Sequence, residues 1–205
     1  EVTYYVADDG TTSAEITGNK MIWLKETSNK EAVWYGIDNK DWVFEKGSRF
    51  WVRWLVKSED ENAWNNYYSQ IDEEKKNIID NDHNSCIFLV GVTKPNGEEY
   101  TKFTTQIPLY VQLGTDWDRK KVNAFFISKG QDEDVKTTFI DNMDFPAGSG
   151  EFAELSLKHF SPYAVYEETN AGNNYFWLIF AVSTLLLAGG GLILILRKKH
   201  QSNKV

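Results

Sequence analysis

Cysteine occurs once in this 205-residue chain, at Cys86, so no internal disulfide can form. A domain of this size buries enough surface to do without one. Cys86 sits in the apolar run Ser85-Cys86-Ile87-Phe88-Leu89-Val90, which suggests a packed strand rather than a nucleophile. Histidine is nearly as scarce. His200 lies in a basic C-terminal tail, which leaves His83 and His159 for any chemistry. The chain has no His-Glu-x-x-His, no glycine-rich phosphate loop and no Gly-x-Ser-x-Gly elbow. His159 and Ser161 are too close in sequence for the usual nucleophile–base geometry. With 30 acidic residues, a glycosidase-type carboxylate pair is not ruled out by composition. No motif points to it, and the expectation is a non-enzymatic protein without a cofactor. There is also no Asn-x-Ser/Thr sequon.

Positive charge is in deficit, and its placement is informative. The first 174 residues hold all 30 acidic side chains and 18 basic ones, a net −12. The remaining four basic residues, Arg197, Lys198, Lys199 and Lys204, lie in the last nine residues. An acidic body argues against a nucleic-acid partner, which needs a basic face. It argues equally against lying flat on anionic lipid. No leader of the basic-then-apolar kind opens the chain. Residues 1–6, Glu-Val-Thr-Tyr-Tyr-Val, already read as strand, so a C-terminal piece of a longer chain is expected.

Long apolar runs are absent from the body, and one is present after it. Residues 175–196 contain no charge and are followed at once by Arg197-Lys198-Lys199. About 20 apolar residues at helical rise match the hydrocarbon thickness of a bilayer. Tyr175, Phe176 and Trp177 stand at one end, where amphipathic rings favour the headgroup zone. The basic cluster after Leu196 favours the cytoplasmic side. The expectation is a single-pass protein of the cell membrane, anchored to lipid through Tyr175, Trp177, Leu196, Arg197, Lys198 and Lys199. Residues 1–166 would be extracellular, 167–174 a polar linker and 197–205 a cytoplasmic tail.

Within the body, aromatic and branched residues separated by turn chemistry predict strands over 21–25, 32–37, 42–45, 50–57, 86–93, 99–104, 109–113, 122–128, 135–140, 152–157 and 163–166. Lys46-Gly47 and Pro95-Asn96-Gly97 are turn signals, and Asn-Gly tolerates the positive φ of tight turns. The fold class expected is mainly β, an antiparallel β-sandwich. One segment departs from it. Trp64, Tyr67, Tyr68, Ile71, Lys75, Ile78 and Ile79 recur at helical spacing, and Ser58-Glu59-Asp60-Glu61 has capping-box form. A single amphipathic helix over 59–80 is expected, its aromatic face against a sheet.

Seven tryptophans precede the apolar run: Trp23, Trp34, Trp42, Trp51, Trp54, Trp64 and Trp117. Flat rings suit a core, and when exposed they stack on sugars. Trp51 and Trp54 differ in strand parity, so at most one is expected in a core. Asp80-x-Asp82-x-Asn84 opens like a calcium loop but has Ser85 and Gly91 where Gly and a bidentate Glu belong. No metal site is expected there. Asp116-Trp117-Asp118 and Asp132-Glu133-Asp134 read as solvated turns, with calcium shared between loops as the alternative.

The segment His159-Phe160-Ser161-Pro162-Tyr163-Ala164-Val165 resembles the closing motif of β-rich modules in surface proteins of Gram-positive bacteria. Some of these are similar to ZU5 domains, which are β-sandwich interaction modules. Residues 122–133 followed by Val135 are similar to the strand and turn that precede that motif, and the resemblance covers 86–166. It implies a stalk, display or binding role and carries over no catalytic residue. His159 is expected to be structural, with His159 and Ser161 bonding the backbone at a Ser-Pro corner. The C-terminus also resembles the sorting tail of such proteins. Where those carry Leu-Pro-x-Thr-Gly, this chain has Glu167-Glu168-Thr169-Asn170-Ala171-Gly172, so a retained membrane helix is expected instead. The expected function is the membrane-proximal stalk or display part of a larger surface protein. Binding of carbohydrate or a cell-wall polymer is the alternative, and cell-wall glycan or other surface proteins are the partners considered.

Overall fold

Branched and aromatic residues alternate along most of this chain, and they form antiparallel ladders. The computed structural model describes residues 4–8, 10–25, 32–41, 43–55, 57, 59–81, 84–129, 131–160 and 162–168. These belong to one unit, Glu1–Glu168. The expected anchor residues Tyr175, Trp177, Leu196, Arg197, Lys198 and Lys199 lie outside the described residues, as do Trp42, Ser58, His83 and Ser161. Among the described residues no helix is long and apolar enough to cross a membrane.

In chain order the elements are β1 (Tyr4–Val6), β2 (Thr12–Glu15), β3 (Met21–Lys25), β4 (Ala32–Asp38), β5 (Arg49–Leu55), α1 (Glu61–Tyr68), α2 (Glu73–Asn81), β6 (Ser85–Thr93), β7 (Lys102–Leu113), a 3-10 turn (Arg119–Lys121), β8 (Val122–Phe126), β9 (Glu133–Val135), β10 (Thr137–Phe145), β11 (Gly148–His159) and β12 (Tyr163–Glu167). They build a seven-stranded sheet, β1-β2-β5-β6-β12-β8-β9, and a five-stranded sheet, β10-β11-β7-β4-β3. Both are antiparallel. The expected mainly-β, sandwich-like architecture is what forms.

Parity explains the core. Phe50, Val52 and Trp54 of β5 and Phe88, Val90 and Val92 of β6 meet Tyr35, Ile37, Leu109, Val111, Leu155 and Leu157 of the other sheet in one buried cluster. Trp51, of opposite parity, lies on the outer face. There Leu55, Ile87, Leu89, Phe125 and Ala164 are covered by Trp64, Ile71 and Ile79 of the helical segment. The aromatic helix face therefore packs on a sheet, as its periodicity predicts. Each such large apolar side chain contributes about 1.5–3 kcal/mol when fully buried.

Four details correct the sequence-based expectation. The helix is two helices, broken over residues 69–72. Asp60 caps the first, its carboxylate accepting the Ala63 N–H at 2.9 Å. Residues 43–45 are not a strand. There the buried Asn39 amide donates to the Gly18 and Phe44 carbonyls, each at 3.0 Å, and accepts the Phe44 N–H at 2.8 Å. This local bonding replaces a ladder. The segments expected at 99–104 and 109–113 belong to a single β7 that begins at Lys102. Pro108 is tolerated because it lies past the last β4 register pair, Ile37↔Leu109, where no ladder N–H is required. Finally, the strand expected over 135–140 is two strands in different sheets, split at Lys136.

Candidate functional site

The segment carrying the motif resemblance is a corner between the two sheets. β11 belongs to the five-stranded sheet and β12 to the seven-stranded one, so the chain crosses between the sheets from His159 to Tyr163. The Tyr163 hydroxyl donates to the His159 carbonyl at 2.5 Å. A tyrosine bonded back a few residues upstream is a device sandwiches use at such crossings. Tyr163 is buried, and its ring stacks on Phe88 at 5.7 Å between centroids. Burial pushes the phenol well above its ordinary range, and the Glu133 carboxylate adds to this. Ser161, expected with His159 to bond the backbone here, lies outside the described residues. The His159 ring stacks on Phe126 at 5.2 Å. Phe160 joins Phe103 and Phe44 in a ring cluster that closes the end of the core.

Beside this corner the chain crosses back. β9 and β10 are joined by Lys136 alone, and the Lys136 carbonyl accepts the Ser156 N–H at 3.0 Å. β10 pairs with β11 only as far as Thr137↔Leu155. Past that point no strand among the described residues pairs with β11 on that side, and a cleft of about 250 Å³ opens between β9 and β11. Phe126 and Tyr163 form its floor, and Glu133, Lys136, Ser156 and Lys158 are among its walls. Sequence reading missed this cleft. Lys136 is neither glycine nor proline, so no local signal marks the crossing.

The other candidate residues are spread through the fold. Trp23, Trp34, Trp54, Trp64 and Trp117 are buried, and Trp51 is half-buried with its indole N–H toward Glu99 at 3.3 Å. Trp42 lies outside the described residues. Among the described residues the large exposed apolar side chains are Tyr5 and Val6, so no exposed tryptophan platform for sugar forms there. Cys86 is buried in the main core.

The acidic loops have structural uses. Asp132 accepts the Asp72 N–H at 2.8 Å and the Ser128 N–H at 3.0 Å, tying the break between the helices to the β8–β9 loop. Asp134 pairs with Lys75 of α2. Asp118 caps the 3-10 turn and lies 3.3 Å from the Lys121 ammonium. Asp80 accepts the Tyr68 hydroxyl at 2.7 Å. Asn84 donates to the Asp116 carbonyl at 3.0 Å and the Glu167 carboxylate at 2.9 Å. Asp82 and His83 lie outside the described residues. Among the described residues no group of three or more His, Cys, Asp or Glu side chains is placed to hold a metal ion. In comparison with known proteins, no family model, curated protein or solved structure matches this chain.

Proposed function

We propose that the chain is a non-enzymatic, membrane-anchored extracellular module that serves as the membrane-proximal stalk or display part of a larger bacterial surface protein. The charge-free run 175–196 and its basic end supply the anchor, and the ZU5-like motif His159–Val165 suggests the class of module. One observation carries the mechanical side of this reading. β12, the last strand before the linker, lies inside its sheet between β6 and β8. It is held to the end: the Glu167 N–H donates to the Asn84 carbonyl and the Glu168 N–H to the Lys121 carbonyl, both at 2.9 Å. A tether leaving from here transmits load into a strand bonded on both edges rather than peeling an edge strand away.

Topology is the test. Protease added to intact cells is expected to remove the folded body while leaving the apolar segment with the membrane. A body that survives on intact cells and is cut only after lysis reverses the orientation and ends the surface-display reading.

A further inference from the structure

We infer that the cleft between β9 and β11 binds a short zwitterionic peptide, about two residues long, in extended form. The body carries 30 acidic and 18 basic residues, and many of its cations are held by carboxylates, as in Lys75–Asp134, Lys94–Glu98 and Arg119–Glu151. Lys136 and Lys158, both exposed, line the cleft together, and among the described residues neither side chain makes an ion pair or hydrogen bond. These two ammonium groups stand at one cavity with the carboxylates of Glu133 and of Asp134, the latter paired with Lys75, so the lining offers both signs of charge and the lysines suit a ligand carboxylate. Glu133 stands on the β9 wall, likewise without an ion pair among the described residues, and suits an amino group.

The backbone points to a peptide in particular. Beyond Ser156, Lys158 is in neither ladder: β10 stops at Leu155, and the β7 register steps from Leu157 to His159. β9 pairs with β8, and among the described residues no strand pairs with its other side. The cleft thus lies between two strand edges, the arrangement that accepts an added extended segment. Its volume, about 250 Å³, is below the ~300–1,000 Å³ of sites for drug-sized ligands and suits a dipeptide. Because both the amino group and the carboxylate are read, the ligand is a free peptide rather than the end of a larger polymer. This inference is independent of the membrane anchor.

Calorimetric titration of the full chain in detergent micelles with alanyl-alanine tests it. The dissociation constant expected for so small a ligand is about 1 mM. Alanyl-alanine amide, which lacks the carboxylate, and N-acetyl-alanyl-alanine, which lacks the amine, are each expected to bind about tenfold more weakly. Lys136→Gln and Lys158→Gln should weaken alanyl-alanine similarly, while Lys20→Gln, an exposed lysine elsewhere, leaves it unchanged. Heat release that is absent up to tens of millimolar, equal binding by either blocked peptide, or indifference to both cleft variants overturns the assignment. The thermal midpoint of each variant, measured alongside, separates loss of the site from loss of the fold.

Discussion

Trp51 and Gly91 face each other across the β5–β6 ladder, and the indole of one occupies the space a side chain on the other would need. A Cβ built on Gly91 would lie 2.4 Å from Trp51 Cζ2. The same relationship recurs in the other sheet. Trp23 is the register partner of Gly36, and a Cβ there would meet the ring at 2.6 Å. Glycine weakens a strand, and an aromatic neighbour laid over it restores the lost contact.

This pairing gives an ordered prediction. Gly91→Ala must displace a half-buried indole, at a cost of about 1–3 kcal/mol. Gly36→Ala should cost more, because Trp23 is buried and hemmed in by Phe145 and Phe152 at 6.2 and 5.4 Å. Gly18→Ala is the control, since its Cβ would meet nothing within 4 Å and its φ is not positive. It is expected within about 0.5 kcal/mol of the parent or slightly stabilised. Urea midpoints decide the order, and equal midpoints for all three variants refute the close-packing account.

Asn39 predicts an effect of charge rather than volume. Its amide satisfies three backbone groups in a buried loop. Asn39→Ala strands them, at about 1–3 kcal/mol for each group left dry. Asn39→Asp keeps the shape but turns a donor into a second acceptor facing two carbonyls. The aspartate variant should therefore be the less stable of the two at neutral pH, and should recover partly in acid as the carboxyl gains a proton. A greater stability for Asp than for Ala at pH 7 would contradict this.

The joint between α1 and α2 separates a half-buried contact from an exposed one. Asp132→Ala removes the acceptor for two backbone N–H groups and should cost about 1–2 kcal/mol. Asp134→Ala breaks only an ion pair whose acidic partner is 76% exposed, and should cost less than about 0.5 kcal/mol. Amide exchange over residues 69–72 should rise in the first variant and stay unchanged in the second.

Three phenols make stability fall in alkali. Tyr110 is raised to about 12 by burial, with the Glu154 and Asp38 charges adding. Tyr68 is raised to about 12 by its hydrogen bond to Asp80, with desolvation adding. Tyr163 is raised further by burial. In the unfolded chain each titrates near its ordinary value of about 10. The folded state binds these protons more tightly, so their contribution is complete below pH about 10 and is lost as pH rises through about 12. Urea midpoints at pH 9, 10 and 11 should decline, and Tyr163→Phe should flatten the decline. Midpoints independent of pH over that range would refute the assignment.

The sequence made some of this legible and hid the rest for physical reasons. Periodicity identified the helix face of Trp64, Ile71 and Ile79, because a packed face is written locally. The break at 69–72 was not legible, since it is fixed by Asp132, 60 residues from Asp72. Strand parity separated Trp51 and Trp54 onto opposite faces, and the structure puts Trp54 in the core and Trp51 on the outer face. That 99–104 and 109–113 join into one strand through Pro108 was not legible, because the end of a neighbouring strand, not the residue itself, decides its tolerance. The cleft stayed hidden because an ordinary lysine makes the crossing between sheets. The corner was half visible: its motif stood out, but the bond from the Tyr163 hydroxyl back to the His159 carbonyl did not.

Cys86 offers a probe of the whole core. Its side chain is 3% exposed, on the inner face of β6 opposite Val165 of β12. Both strands are interior to the seven-stranded sheet, so no edge fraying uncovers the thiol. A disulfide reagent should therefore react only through opening of the core, slowly in native protein and at once in denaturant. Its native rate should follow global stability, rising about tenfold for every ~1.4 kcal/mol lost. Gly36→Ala should accelerate the reaction more than Gly91→Ala, and Gly18→Ala should leave it near the parent rate. If Cys86 instead reacts rapidly in the native parent protein, β6 is reachable from solvent and the order of strands around it is wrong.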